Sequence, residues 1–66
     1  MTYEIIIKGH LTGRMANHFK PLQIEFLDSG FTRLTGYMPD QASLYGLLSK
    51  IRDFNIELVE LKKMKD

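Results

Sequence analysis

The chain has no cysteine and no tryptophan, only two prolines and five glycines, and no excess of either charge. Each absence narrows what it can be. Without cysteine there is no disulfide and no thiolate metal site. The two histidines, His10 and His18, have no further ligands at regular spacing, so no metal and no cofactor is expected. Nine basic and eight acidic residues are interspersed to a net charge of +1, which argues against nucleic acid as a partner, because the basic stripe of such a binder is missing. No apolar run approaches the roughly 20 residues that span a bilayer. The opening residues hold no apolar segment with a small-residue cleavage site. A reduced, soluble, cytoplasmic protein without a membrane partner is expected, and the basic "LKKMKD" at the end reads as a solvated tail.

A chain of 66 residues makes one domain, residues 1–66. Chains of this size bury only about 60% of the surface they expose when unfolded, and usually rely on disulfides, a metal or a partner chain. With the first two excluded, close packing and self-association remain.

The apolar pattern gives the elements. "TYEIIIKGHL" (2–11) is rich in β-branched residues and reads as a strand. Thr12 is placed to cap a short helix that Pro21 stops, with Leu11, Met15 and Phe19 on one side. "LQIEFL" (22–27) alternates Leu22, Ile24 and Phe26 against Gln23, Glu25 and Leu27, a half-buried strand. "DSG" is a turn and "FTRLTGYM" (31–38) the next strand. Parity fixes this hairpin. A two-residue loop would set Arg33 opposite Phe26 on the buried face. A three-residue loop, Asp28-Ser29-Gly30, opposes Phe26 with Thr32, Ile24 with Leu34 and Leu22 with Gly36, and sets Glu25 across from Arg33 outside. It also predicts a left-handed Gly30.

Asp40 is placed to cap a second helix, in which Leu44, Leu47, Leu48, Ile51 and Phe54 form one apolar stripe. Asn55 is placed to close it, and "IELVELKK" (56–63) reads as the last strand. The order β-α-β-β-α-β predicts an α+β ferredoxin-like sandwich: two helices on one face of a four-stranded antiparallel sheet. "KGHLTGRM" and "TGYMPDQA" echo each other before the two helices. Parity puts Gly9 and Gly36 on the helix-covered face, where a missing side chain would let a helix lie close.

"PDQASLYGLLSKIRDFNIELVEL" resembles the C-terminal half of a family of small stand-alone bacterial proteins of unknown function. Their helix runs roughly Asp-Gln-Ala-x-Leu-His-Gly-Leu-Leu, matched here by Asp40, Gln41, Ala42, Leu44, Gly46, Leu47 and Leu48. Tyr45 stands where that pattern has histidine. The resemblance implies a ferredoxin-like fold and a bacterial or archaeal origin, and no activity.

Two surfaces are candidates for contact with a second chain. Gly46 lies mid-helix, where glycine costs about 1 kcal/mol relative to alanine. It faces away from the apolar stripe, and with Ala42 and Ser49 makes a small-residue strip that another backbone could approach. Parity also assigns Ile6, His10, Leu27, Phe31, Tyr37, Val59 and Leu61 to the outer sheet face, too much apolar surface for a small monomer. The last strand carries apolar groups on both faces unless a bulge re-aims part of it. A homodimer is therefore expected, working as an interaction or regulatory module without catalytic activity. The strand 30–38 lacks the motif of ferredoxin-like RNA binders.

A second reading places a small ligand at "GHLTGR", with Gly9, His10, Thr12, Gly13 and Arg14 as the loop. Paired regulatory modules called ACT domains share this element order and bind ligands beside such a loop, a fold-level analogy. The same stretch is similar to the phosphate-cradling Gly-x-Val-x-Gly loop of acylphosphatases, which would imply a hydrolase. Here Arg14 follows the second glycine directly, and the catalytic asparagine of that family has no counterpart.

Overall fold

The computed structural model describes residues 1–64. Its elements are β1 (Thr2–Lys8), α1 (Gly13–Asn17), β2 (Gln23–Leu27), β3 (Phe31–Tyr37), α2 (Gln41–Asp53) and β4 (Leu58–Lys63). The four strands form one sheet in the order β2-β3-β1-β4, and every paired neighbour is antiparallel. The protein is α+β, with a four-stranded sheet and two helices.

Alternation along β1 sets the inside. Tyr3, Ile5 and Ile7 are buried, while Glu4 and Ile6 between them are half-buried. Leu34 and Thr32 of β3 lie opposite Ile5 and Ile7 and complete the sheet's share of the core. Leu44, Leu47 and Ile51 of α2, together with Leu11, Phe19 and Met38, close on the same cluster. Leu48 and Phe54, the rest of the expected stripe, pack half-buried at its margin.

The hairpin has the three-residue loop. Phe26 pairs with Thr32, Ile24 with Leu34, Glu25 with Arg33, and Leu27 with Phe31. Gly30 is left-handed at φ 84°, and Ser29 before it also has a positive φ of 69°, a second left-handed residue inside a 3₁₀ turn. Asp40 caps α2 by accepting the Ser43 N–H at 2.8 Å and the Ser43 hydroxyl at 2.9 Å. Those bonds, the backbone one first, hold its carboxyl below the usual aspartate value. At the other end Asn55 takes φ 60°. Its N–H donates to Arg52 O at 2.9 Å and the Ile56 N–H to Ile51 O at 3.0 Å. This is the paired bonding of a helix closed by one left-handed residue, and it explains why β4 begins at Leu58 and not at Ile56.

Four expectations need correction. The first strand ends at Lys8, because Gly9 turns the chain at φ 99°. Gly9 therefore serves the turn, and a Cβ there would meet nothing within 4 Å. Gly36 does admit a neighbour, but the neighbour is Leu22 of the adjacent strand segment and not a helix: a Cβ at Gly36 would overlap Leu22 Cδ2. Thr12 occupies the position before α1 without a side-chain cap bond. Finally, Lys62 and Lys63 belong to β4, and the Met64 N–H donates to Thr2 O at 2.7 Å, so this stretch is not a frayed tail. Lys65 and Asp66 lie outside the described residues.

Candidate functional site

The loop from Gly9 to Arg14 spends its polar groups on the fold. The Gly9 N–H donates to Gly30 O, and its carbonyl accepts from Thr32 Oγ1, each at 2.5 Å. His10 stacks on Phe26 with ring centroids 4.7 Å apart, and its Nε2 lies 3.3 Å from Leu27 O. Since Phe26 shares a face with buried Thr32, His10 is not on the outer face. The positive φ at Gly9 breaks the alternation that would have placed it there. Thr12, Gly13 and Arg14 are exposed at the start of a helix of five residues. The loop does not line either of two surface grooves that lie along α2.

The outer sheet face differs from its expected character. Ile6, Leu27 and Phe31 are half-buried there and Tyr37 is exposed. Charge occupies the middle: Arg33 Nη1 donates to Glu25 Oε1 at 2.7 Å, and Arg33 Nε lies 3.5 Å from Glu4 Oε2. Besides His10, Leu61 is not on this face: it pairs with Ile5 and so lies on the core side of the sheet. The register shifts between Ile6, which faces Glu60, and Ile7, which faces Leu58, leaving Val59 as the extra residue of a β-bulge. The bulge resolves the two-faced apolar pattern of the last strand by re-aiming it.

Ala42 and Gly46 are exposed and Ser49 is half-buried on α2. Gly46 borders an open groove of about 750 Å³ between α2, the 18–22 segment and the end of β3. Phe19, Leu22, Met38 and Leu47 line it, with Lys20 and Lys50 among its polar residues. Lys50 Nζ donates to His18 O at 2.9 Å, and the exposed His18 ring leans on Phe54 at 4.9 Å. A Cβ at Gly46 would meet nothing within 4 Å. Gly46→Ala is therefore expected to stabilise the fold by about 0.5–1 kcal/mol through helix propensity. A rise in the melting temperature checks this, and a fall would mean that something already occupies the space.

One surface was not singled out by the sequence: the edge made by β4. All six of its residues are exposed, and no strand lies beyond it among the described residues. Leu58, Val59 and Leu61 are 43%, 49% and 40% exposed. A second, smaller groove lies beside it, lined by Leu48, Ile51, Ile56 and Leu58 among others. The signal was present as "LVELKK", an apolar strand ended by two lysines, the charged residues with which sheet edges are commonly guarded. Among the described residues no three metal-ligating side chains gather. No helix among them is long and apolar enough to cross a membrane.

The sequence model of one protein family, described as a domain of unknown function (DUF8691), matches residues 2–62. No curated protein and no solved structure matches the chain.

Proposed function

We propose that this chain, which belongs to the family of domains of unknown function DUF8691, is a small non-catalytic interaction module that acts by self-association. The observation that carries this reading is the open β4 edge, which leaves Leu58, Val59 and Leu61 exposed beside unpaired ladder groups. Such an edge is a template for another strand, and a domain of this size gains stability from a partner. The element order together with the strand order β2-β3-β1-β4 supports a ferredoxin-like plan. In this reading the domain works in the cytoplasm, where a fold without disulfides needs no oxidising compartment.

Light scattering across a concentration series tests the reading. The expected result is a mass near twice 7.7 kDa at tens of micromolar, falling on dilution. A mass of 7.7 kDa throughout would overturn it. A second reading, a small-molecule regulatory module like the ACT domains, draws support from the groove beside Gly46. Its volume of about 750 Å³ lies within the usual range of ligand sites. Native mass spectrometry of the purified protein tests it: a small molecule retained on the chain would favour this reading over the first.

A further inference from the structure

We propose that two copies of the chain pair their β4 strands antiparallel about Leu61, joining two sheets into one through a two-fold interface. The proposal rests on the self-association reading above and names its surface and register. The direction of the free backbone groups comes first. Met64 N–H donates to Thr2 O at 2.7 Å, so Met64 and Thr2 form a hydrogen-bonded pair of the β1–β4 ladder. Antiparallel ladders alternate bonded and non-bonded pairs. Lys62, opposite Glu4, and Glu60, opposite Ile6, thus turn their N–H and C=O toward β1. Leu61 and Lys63 turn theirs toward the open side.

A second strand bonds to this edge only where its own outward groups meet these. For two identical strands related by a two-fold axis, that condition allows dyads at single residues and excludes dyads between residues. Three lie near the middle of β4. A dyad at Glu60 sets Glu60 against Glu60 of the second copy, and a dyad at Lys62 sets lysine against lysine. A dyad at Leu61 sets Leu61 against Leu61 on the core side and, on the outer side, each Glu60 against Lys62 of the second copy. Like charges directly opposite are destabilising and opposite charges favourable. Only the Leu61 register is self-complementary.

The neighbouring strands agree with it. Within one copy Glu60 faces Ile6, which carries no charge, whereas Lys62 faces Glu4. In the paired sheet Glu60, Lys62 of the second copy and that copy's Glu4 form a row of alternating charge. The two Leu61 side chains, each 40% exposed in the single chain, cover one another, and the same symmetric patch serves both copies. The bulge at Val59 ends the regular ladder at Glu60 on each copy, so the pair is short and dissociates on dilution.

Charge reversal tests the register on the full chain. Glu60→Lys sets the introduced lysine against Lys62 across the dyad, and Lys62→Glu sets the introduced glutamate against Glu60. Each single variant is expected to raise the dimer dissociation constant by about tenfold, from two pairs turned repulsive at 0.2–1 kcal/mol each. Mixing the two variants in equal amounts restores opposite charges at both positions, so sedimentation velocity should recover a mixed dimer near wild-type affinity. This rescue separates the interface from any effect of losing the Lys62–Glu4 neighbour within one chain. Single variants that dimerise like wild type, or a mixture that stays dissociated, would overturn the register while leaving self-association standing. A wild-type chain that is monomeric throughout would remove the self-association reading itself and this proposal with it.

Discussion

Replacing Phe19 by alanine is expected to leave the chain largely unfolded at 25 °C. Phe19 is 1% exposed and heads the fully buried side chains by volume. Burial of that kind is worth about 3–5 kcal/mol against alanine, because a cavity replaces the lost contacts. A domain of this size rarely has more than about 3–5 kcal/mol in total, so one substitution consumes the whole margin. The location sharpens the expectation. Helix α1 has five residues and buries none of them, far below the roughly 12–15 residues at which a helix begins to hold by itself. In the stretch from Leu11 to Leu22 the buried anchors are Leu11 and Phe19, whose ring lies 6.1 Å from that of Phe54. Met15, Ala16 and Leu22 pack only half-buried against the core. Circular dichroism checks the result. A cooperative melt within a few degrees of wild type would show that this segment is held by something else. Phe19→Leu, which keeps most of the volume, is expected to fold with a smaller loss.

Thr32→Val is expected to destabilise the fold by about 1–3 kcal/mol although it preserves the shape of the side chain. Thr32 is the buried polar residue of the core, at 0% exposure, and its hydroxyl donates to Gly9 O at 2.5 Å. Valine removes the donor and leaves that carbonyl without its partner at the point where β1 turns away. Thr32→Ser keeps the hydrogen bond and loses one methyl, worth about 0.8 kcal/mol when buried. The serine variant should therefore melt above the valine variant. The opposite order would mean that the methyl matters more than the hydroxyl and that the Gly9 carbonyl finds water instead.

These two positions also mark what the sequence made legible. The inward direction of Thr32 and the register of the hairpin followed from parity and from the pairing of Glu25 with Arg33, because a shift of one residue would have buried an arginine. The stripe on α2 and both of its ends followed from spacing and from Asp40 and Asn55, whose side chains suit non-helical positions. The last strand was not legible to the same degree. Alternation holds only until a residue is inserted, and the bulge at Val59 carries Leu61 to the face opposite the expected one. His10 was misplaced for a related reason, since a positive φ at Gly9 ends the count. Gly9 and Gly36 look equivalent in the sequence. One supplies a turn and the other makes room for Leu22, a difference of backbone angle and neighbour that a repeat of letters does not contain. On the outer face parity gives the pair of Glu25 with Arg33, while the approach of Arg33 to Glu4 joins β3 to β1, strands far apart in the sequence, and emerges only when the two are set side by side.

The proposed pairing makes the β4 edge the working surface of this domain. Residue-resolved amide hydrogen exchange, followed over a range of protein concentrations, tests it most directly. If two copies pair there, the amides of Leu61 and Lys63 gain protection together as concentration rises, while that of Lys62, turned toward β1, changes little. Unchanged exchange at Leu61 and Lys63 from the most dilute sample to the most concentrated would contradict the claim, whatever mass the protein shows in solution.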